Sequence, residues 1–191
     1  ANGYPISDIV NSNYDKNNPY NGRDPRLAKY IIYNGSIAGV GDVPIYTGRK
    51  SGTDDGIDVK EQRSTRTGYY MGKFVNEQQQ INNDEAYASS QNYIIWRYAE
   101  ALLDYAEVMF RLGDTGTALQ KVNDIRQRVH MNTLPTLTWD QLVNERRVEM
   151  AFEETTYWDI FRWGIAEEKL NGSSNPIKAI KIVQMSGRPT Q

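Results

Sequence analysis

The stretch WRYAEALLDYAEVMFRLGD (residues 96–114) decides the fold class of this chain. Charged residues form one stripe of it, in which Glu107 and Arg111 have the i,i+4 spacing of a favourable ion pair. The apolar residues recur at the i, i+3, i+4, i+7 spacing of a buried helical face. We therefore predict an amphipathic helix over residues 93–111, ended by Gly113. Its buried stripe consists of Ala99, Leu102, Leu103, Ala106 and Phe110.

A second apolar stripe follows after a short turn, and it predicts a helix over residues 116–129. Two amphipathic helices joined by so short a loop form an antiparallel hairpin of the tetratricopeptide type. One such hairpin cannot bury its own faces, so we expect further helices to stack on it. The two helices should meet through Ala99, Leu102, Ala106, Ala118, Val122 and Ile125.

The block NERRVEMAFEETTYWDIFRWG (residues 144–164) predicts two more helices. The capping box of Thr138 and Gln141 should begin the first of them, which then runs to about Phe152. Thr155 or Thr156 should begin the next, with Gly172 as its end. Trp139 beside the first cap should pack. Three apolar residues in the second helix, at helical spacing, are predicted to lie in the core rather than to form a ligand platform: Trp158, Phe161 and Ile165.

Glu145, Glu149 and Glu153 lie four residues apart on one helical face, where like charges are mildly unfavourable. One interpretation is a pair of catalytic carboxylates, as in a glycosidase. The other is a structural set of Arg–Glu contacts that clamps the last helices together. Arginines would hold the carboxylates ionised, whereas a general acid needs a raised pKa, so the structural interpretation is favoured. The donors close in sequence are Arg126, Arg128, Arg146, Arg147 and Arg162.

The first part of the chain is rich in Gly, Asn, Asp and Pro and predicts irregular structure. Asp24 and Pro25 should begin a short helix. The run Tyr30–Tyr33 predicts a strand, and Asn34–Gly35 predicts the turn of a β-hairpin. Residues 67–74 predict a short extended segment. We expect a loop-rich lobe over 1–91, helical hairpins over 92–172 and a tail over 173–191, together forming part of one domain.

Composition excludes several classes of function. The net charge is −2 and no basic stripe is present, so nucleic acid is not an expected partner. The chain has no cysteine and one histidine, His130, so thiolate and His-pair metal sites are excluded. No Gly-rich phosphate loop or catalytic GxSxG or HExxH motif occurs. We expect no cofactor, no bound metal and no catalytic residue.

Five stretches, read in order, resemble the SusD/RagB family of surface nutrient-binding lipoproteins. The fold implied is mainly α, with tetratricopeptide-type helical hairpins, a loop-rich lobe and short β-hairpins. Family members usually have Arg where this chain has Thr156, so one ionic contact is expected to be missing. They are also longer and begin with a lipidated Cys, so the chain resembles a C-terminal part cut short at both ends. The matching stretches are residues 21–35, 67–74, 96–108, 118–129 and 144–164.

The resemblance implies a non-catalytic glycan-binding protein on the outer-membrane surface, lipid-anchored and associated with a SusC-like TonB-dependent transporter. Alternatives are a peptide-binding protein of the RagB branch, a tetratricopeptide-type protein scaffold, or an α-helical glycoside hydrolase. Ligand contacts are expected in the loop-rich lobe, because aromatic residues in the helices are expected to pack. The predicted ligand-binding residues are Tyr14, Tyr20, Tyr46 and Arg49.

Overall fold

The computed structural model describes residues 6, 8, 10–38, 43–47, 65–75, 92–173, 176 and 178–180. The described parts are mainly helical, as predicted, and none of their helices is long and apolar enough to span a membrane. The chain forms two compact units, one of Ala1–Leu27 with Tyr93–Asp159 and one of Ala28–Asn92 with Ile160–Gln191. The division predicted from composition, with a lobe over 1–91, helical hairpins over 92–172 and a tail over 173–191, stays a prediction. The helices are α1 Pro25–Tyr30, α2 Tyr98–Arg111, α3 Thr115–Arg128, α4 Trp139–Glu149, α5 Thr155–Arg162 and α6 Ala166–Leu170.

Helices α2 and α3 form the predicted hairpin in the first unit. Gly113 adopts a φ of 89° at the turn, a conformation in which glycine has no Cβ to clash. Asp114 then caps α3 by accepting the Thr117 N–H at 3.0 Å. The predicted meeting residues are buried, except that Leu102 is half-buried beside the cluster of Leu103, Ile125 and Met150. A second cluster comprises Ala106, Ala118, Val122, Leu137 and Leu142.

The first long helix does not begin at residue 93, as predicted. Helix α2 begins at Tyr98, and Arg97 before it has an extended backbone with φ −146° and ψ 161°. Its side chain reaches Glu149 and Glu153, so the contacts of this arginine hold residue 97 outside the helix. Amphipathic spacing could not show this, because it reports the buried face and not the tertiary partner of a flanking residue.

The capping box at the start of α4 is present. Thr138 Oγ accepts the Gln141 N–H at 3.2 Å, and Gln141 Oε1 accepts the Thr138 N–H at 2.8 Å. The helix ends at Glu149 rather than Phe152, because Phe152 is in the left-handed region with φ 67°. The predicted helix from Thr155 to Gly172 is instead two helices, α5 and α6, because the chain turns at Gly164 with φ 74°.

The described residues of the second unit contain four two-residue strands: β1 Ile31–Ile32, β2 Ile37–Ala38, β3 Val43–Pro44 and β4 Tyr70–Met71. The antiparallel pairs are β1 with β4 and β2 with β3. The predicted β-hairpin across Asn34–Gly35 is therefore wrong. Ser36 N–H does donate to Tyr33 O at 3.0 Å, so a tight turn exists there, but the strands that flank it pair with other segments. The predicted extended segment at 67–74 contains β4.

The aromatic residues of α5 contradict the prediction that they lie in the core. Trp158 is 70% exposed and Phe161 is 51% exposed, while Ile165 is half-buried. The buried residues of this helix are Asp159 and Ile160. Asp159 is buried because it accepts a hydrogen bond from the buried Arg146, and this contact fixes which face of the helix is covered. Elsewhere, Trp139 does pack, with its ring centroid 5.9 Å from that of Phe110.

Candidate functional site

The main polar feature of the first unit is a group of buried carboxylates surrounded by guanidinium groups. Glu149, at the end of α4, has a fully buried side chain. Its Oε1 accepts hydrogen bonds from Arg97 Nη1 and Arg128 Nη2, each at 2.6 Å. Its Oε2 accepts one from Arg26 Nη1 at 2.9 Å. The carboxylate thus has three arginines as partners, contributed by α1, α3 and the segment before α2.

Glu145 and Glu153 extend this group on either side. Glu145 Oε1 accepts from Arg26 Nη1 at 2.6 Å and its Oε2 accepts from Arg126 Nη1 at 2.8 Å. Arg97 binds Glu153 with two parallel hydrogen bonds of 2.7 Å, from Nε and Nη2. Such bidentate pairs are among the stronger hydrogen bonds of proteins. We name the arginine–carboxylate cluster by its members Asp24, Arg26, Arg97, Arg126, Arg128, Glu145, Glu149 and Glu153.

The local backbone positions the arginines. Asp24 Oδ1 accepts the Arg26 N–H at 2.9 Å and Arg26 Nε at 3.0 Å, while Oδ2 accepts Arg26 Nη2 at 2.7 Å. The cap of α1 therefore also orients the Arg26 guanidinium towards α4. Arg126 is fixed in a similar way, because its Nε donates to the backbone oxygen of Asn132 at 2.8 Å.

A second ion-pair group is centred on Arg146 of α4. Arg146 Nε donates to Asp159 Oδ2 at 2.6 Å, and both side chains are buried. Arg146 Nη1 donates to the half-exposed Asp104 on α2, also at 2.6 Å. Arg146 thereby connects α4 to α2 and to Asp159 in the middle of α5. The predicted i,i+4 pair is also present, with Arg111 Nε 2.9 Å from Glu107 Oε1.

The ionisation of Glu149 follows from two opposing effects. Burial disfavours the carboxylate and raises its pKa, but the hydrogen bonds from Arg97 and Arg26 outweigh burial, so the pKa of Glu149 lies below its ordinary value. The same balance acts on Asp24, whose pKa is lowered by Arg26 despite burial. Burial lowers the pKa of Arg26, but the contacts with Asp24 and Glu145 raise it by more than burial lowers it. The pKa of Arg26 therefore lies above its ordinary value. Glu149, Asp24 and Arg26 are therefore held in their charged forms.

The arginine–carboxylate cluster is suited to holding helices together rather than to acid–base chemistry. A general acid in a glycosidase needs a carboxyl with a raised pKa, whereas that of Glu149 is lowered. The favoured interpretation, a structural set of Arg–Glu contacts, is confirmed for Glu149 and Glu153, whose buried side chains both bind Arg97. Within the described ranges, no group of three or more His, Cys, Asp or Glu residues has the geometry of a metal site.

The sequence missed the two arginines that contact most of the cluster. Arg26 and Arg97 lie 119 and 52 positions from their α4 partners, beyond the reach of any spacing rule. Asp24, two positions before Arg26, is a local signal for this arginine, since the two side chains pair. Of the nearby donors proposed, Arg126 and Arg128 do bind the glutamates. The others lie elsewhere: Arg146 binds Asp159, Arg147 is exposed and Arg162 lies over the Trp163 ring.

The structure describes three of the four predicted ligand-binding residues. Tyr14 and Tyr20 belong to the first unit and are half-buried. The Arg23 guanidinium carbon lies 5.8 Å from the Tyr14 ring centroid. Tyr46 belongs to the second unit and is also half-buried. Arg49 lies outside the described residues, so the four residues stay a prediction.

Exposed aromatic residues on helices are a feature that sequence reasoning did not find. Tyr157 and Trp158 form an edge-to-face pair with ring centroids 5.3 Å apart, and both are exposed. Trp96 and Tyr98 are exposed at the start of α2. The expectation that aromatic residues of the helices all pack is therefore wrong, and loops are not the sole source of accessible aromatic surface.

Comparison with known proteins gives a consistent family assignment. A model of the SusD family matches residues 2–184. A SusD-like protein of Bacteroides ovatus is 33% identical over 78 residues, which are 39% of this chain and 14% of that protein. A SusD-like protein of Formosa agariphila is 31% identical over 105 residues, or 48% of this chain and 21% of the other.

Solved structures have the same fold. The crystal structure of a SusD-like protein from Bacteroides fragilis is 33% identical, with a TM-score of 0.64 over 81% of this chain. A SusD superfamily protein from Bacteroides vulgatus, 23% identical, has a TM-score of 0.60 over 82% of this chain and supports the fold alone. The matched parts are 31% and 32% of those two chains, so this chain corresponds to about a third of their length.

Proposed function

The chain belongs to the SusD family, and on that premise we propose that it is part of a non-catalytic protein that binds carbohydrate at the outer-membrane surface. The observation that carries the proposal is the family match, which extends over residues 2–184 and includes both units. The finer proposal is a glycan-binding protein that acts with a SusC-like TonB-dependent transporter in nutrient uptake. A lipid anchor is part of the same proposal.

The arginine–carboxylate cluster supports the non-catalytic part of the proposal. It contains the carboxylates whose spacing suggested a glycosidase, and each of them accepts hydrogen bonds from at least one arginine. A carboxyl that must donate a proton near neutral pH would need an environment that favours its neutral form. Here the lowered pKa of Glu149 favours the charged form.

The ligand-binding proposal rests on accessible aromatic rings. A sugar ring stacks on a flat apolar face, and tyrosine offers such a face together with a polar hydroxyl. Tyr14 is half-buried beside the Arg23 guanidinium, which restrains the ring through a cation–π contact. We propose Tyr14, Tyr20, Tyr46 and Arg49 as ligand contacts. A peptide ligand of the RagB type would use the same kinds of contact.

Calorimetric titration of the chain with a panel of oligosaccharides, combined with product analysis, tests this function. We expect saturable binding without cleavage, and weaker binding for Tyr14→Ala and Tyr46→Ala. Tyr93→Ala is the matched control, because Tyr93 is 76% exposed and lies outside the proposed contacts. Cleaved product would contradict the non-catalytic assignment. Binding of peptides but of no saccharide would contradict the carbohydrate assignment and favour the RagB branch.

A separate experiment tests the transporter proposal. Affinity purification of the protein from the outer membranes of its source organism, followed by mass spectrometry, should recover a TonB-dependent transporter. Recovery of soluble proteins instead would favour a tetratricopeptide-type scaffold. This result is independent of the titration, so failure of either part can be recognised.

A further inference from the structure

Four asparagines of this chain directly precede a glycine: Asn2, Asn21, Asn34 and Asn171. In such a pair the backbone nitrogen of the glycine can attack the side-chain carbonyl carbon of the asparagine, because glycine has no side chain to obstruct the approach. Asparagine is among the thermolabile residues of proteins. The reactivity of each pair therefore depends on what its side-chain amide and its glycine N–H contact in the fold.

The pair Asn21–Gly22 leaves both reacting groups accessible. Both residues are exposed in the turn that precedes α1. Within the part of the chain that the structure describes, the Asn21 side chain and the Gly22 N–H form no hydrogen bond. By contrast, Asn171 Oδ1 accepts the Ser173 N–H at 3.0 Å, and Asn2 lies outside the described residues.

The pair Asn34–Gly35 has a similar backbone but the opposite environment. Asn34 is half-buried and its Oδ1 accepts the Thr47 N–H at 3.0 Å, while the Gly35 N–H donates to Ile45 O at 2.8 Å. The φ angles of Gly22 and Gly35 are 64° and 86°, and a Cβ added at either glycine would meet nothing within 4 Å. Because conformation and space are alike, hydrogen bonding is what distinguishes the two pairs.

We propose that Asn21 is a site of spontaneous modification to aspartate and isoaspartate, and that its hydrogen bonds protect the Asn34–Gly35 pair in the folded chain. The Gly22 nitrogen bonds to Asn21 Cγ, the Cγ–Nδ2 bond breaks, and ammonia leaves with the proton of the Gly22 N–H. Water then opens the succinimide ring that has formed. Cleavage of the Cγ–N bond gives aspartate, and cleavage of the bond between the backbone carbonyl carbon and that nitrogen gives isoaspartate. Water is consumed and ammonia is released, so the step needs no further reactant.

The modification changes the chain between two features described above. The backbone of isoaspartate runs through the side-chain carbons, which adds a methylene between Tyr20, a proposed ligand contact, and Asp24, which orients Arg26. Both products also carry a negative charge near neutral pH where the unchanged chain has a neutral amide. The modification needs only the chain and water, so it does not depend on the proposed function.

Mass spectrometry of tryptic peptides tests the proposal after storage of the folded chain in mildly alkaline buffer. Cleavage after lysine and arginine places the two pairs in separate peptides, residues 17–23 and 30–49. We expect the exchange of a side-chain NH2 for OH to be at least about tenfold faster in the first peptide, because the second must open two hydrogen bonds before it reacts. In concentrated urea the two peptides should react at similar rates. Asn21→Gln, at an exposed position, should abolish the exchange in the first peptide, which also contains Asn17 and Asn18.

Each of the other results overturns the proposal. Equal rates in the folded chain would mean that the hydrogen bonds of Asn34–Gly35 give no protection. A first peptide that stays unchanged in the folded chain would mean that Asn21 does not react there, and exchange that persists in Asn21→Gln would assign the reaction to another asparagine. A rate difference that remains in urea would show that neighbouring residues in sequence, and not the fold, set the rates. Circular dichroism before and after storage checks that the chain stays folded.

Discussion

Arg26 Nη1 lies 2.6 Å from Glu145 Oε1, although the two residues are 119 positions apart in sequence. The same nitrogen also donates to Glu149 Oε2 at 2.9 Å. One guanidinium group thus neutralises the repulsion between two carboxylates on successive turns of α4. Because Arg26 and both glutamates are buried, α1 is held to α4 by contacts that water does not screen.

Arg26→Lys should destabilise the chain even though it keeps the charge. Lysine cannot reproduce a planar fork that contacts Asp24, Glu145 and Glu149 together, so buried acceptors lose their partners at about 1–3 kcal/mol. Lys29→Ala is the control, because Lys29 is exposed on the same helix and should change the free energy of unfolding by less than about 0.5 kcal/mol. Urea denaturation measures both. Equal values for the two variants would show that Arg26 has no structural role.

Glu149→Gln should lower stability without altering affinity for any ligand. The amide keeps the shape of the side chain, but it leaves Arg26, Arg97 and Arg128 without their shared negative partner. Loss of one member of a buried ionic group costs about 3–5 kcal/mol. Glu168→Gln, at an exposed glutamate of α6, is the control. A variant with an unchanged melting temperature but no ligand binding would contradict the structural assignment.

The helical hairpin could be predicted from sequence because its information is local. Ala106, Ala118 and Val122 are buried where the helical periodicity places them. Asp114 and the Thr138 capping box mark helix starts through hydrogen bonds to residues within one turn. The acidic face of α4 also predicted that arginines would approach it. The identity of Arg26 and Arg97 as partners could not be predicted, since long-range contacts leave no spacing pattern.

The burial of α5 could not be predicted for a related reason. Trp158 and Phe161 have helical spacing and large apolar surface, yet they are exposed, while Asp159 is buried. Transfer energies favour the opposite arrangement. The hydrogen bond of Asp159 with the buried Arg146 decides the orientation instead, and this partner can be identified only from the tertiary structure.

Leu103→Ala should be more destabilising than Leu102→Ala, although both belong to the predicted apolar stripe. Leu103 is fully buried in the cluster with Ile125 and Met150, whereas Leu102 is half-buried at its edge. We expect a loss of about 2–5 kcal/mol for Leu103→Ala, because a cavity remains in the core. A smaller loss is expected for Leu102→Ala. Chemical denaturation of the two variants provides the test, and a larger loss at Leu102 would mean that the helix is rotated from its described orientation.

Glu154 should tolerate glycine better than alanine. Its φ of 63° lies in the left-handed region, where an L side chain costs roughly 1 kcal/mol and glycine has no such cost. The residue is exposed and follows Glu153, which binds Arg97. Glu154→Gly should therefore be more stable than Glu154→Ala by up to about 1 kcal/mol. Glu167, an exposed residue within α6, is the matched control, because there alanine should be the more stable substitution.

The free energy of unfolding should fall in acid because of the arginine–carboxylate cluster. The pKa values of Glu149 and Asp24 in the folded chain lie below their ordinary values of 4.5 and 3.8. Above those ordinary values both groups are ionised in either state, and the stabilisation is fully present. As the pH falls below them, the unfolded chain binds protons first, so stability is lost progressively towards the folded pKa values.

Urea denaturation at pH 7, 5, 4 and 3 should therefore show little change between the first two points and a steep fall below about pH 4.5. Glu149→Gln removes one of the two carboxylates of the arginine–carboxylate cluster whose pKa is lowered, so this variant should show a shallower fall over the same interval. Glu168→Gln, whose carboxylate is exposed, should follow the unchanged chain. An identical pH dependence for Glu149→Gln and the unchanged chain would mean that Glu149 has the same pKa in both states, and that its arginine partners do not stabilise the charged form.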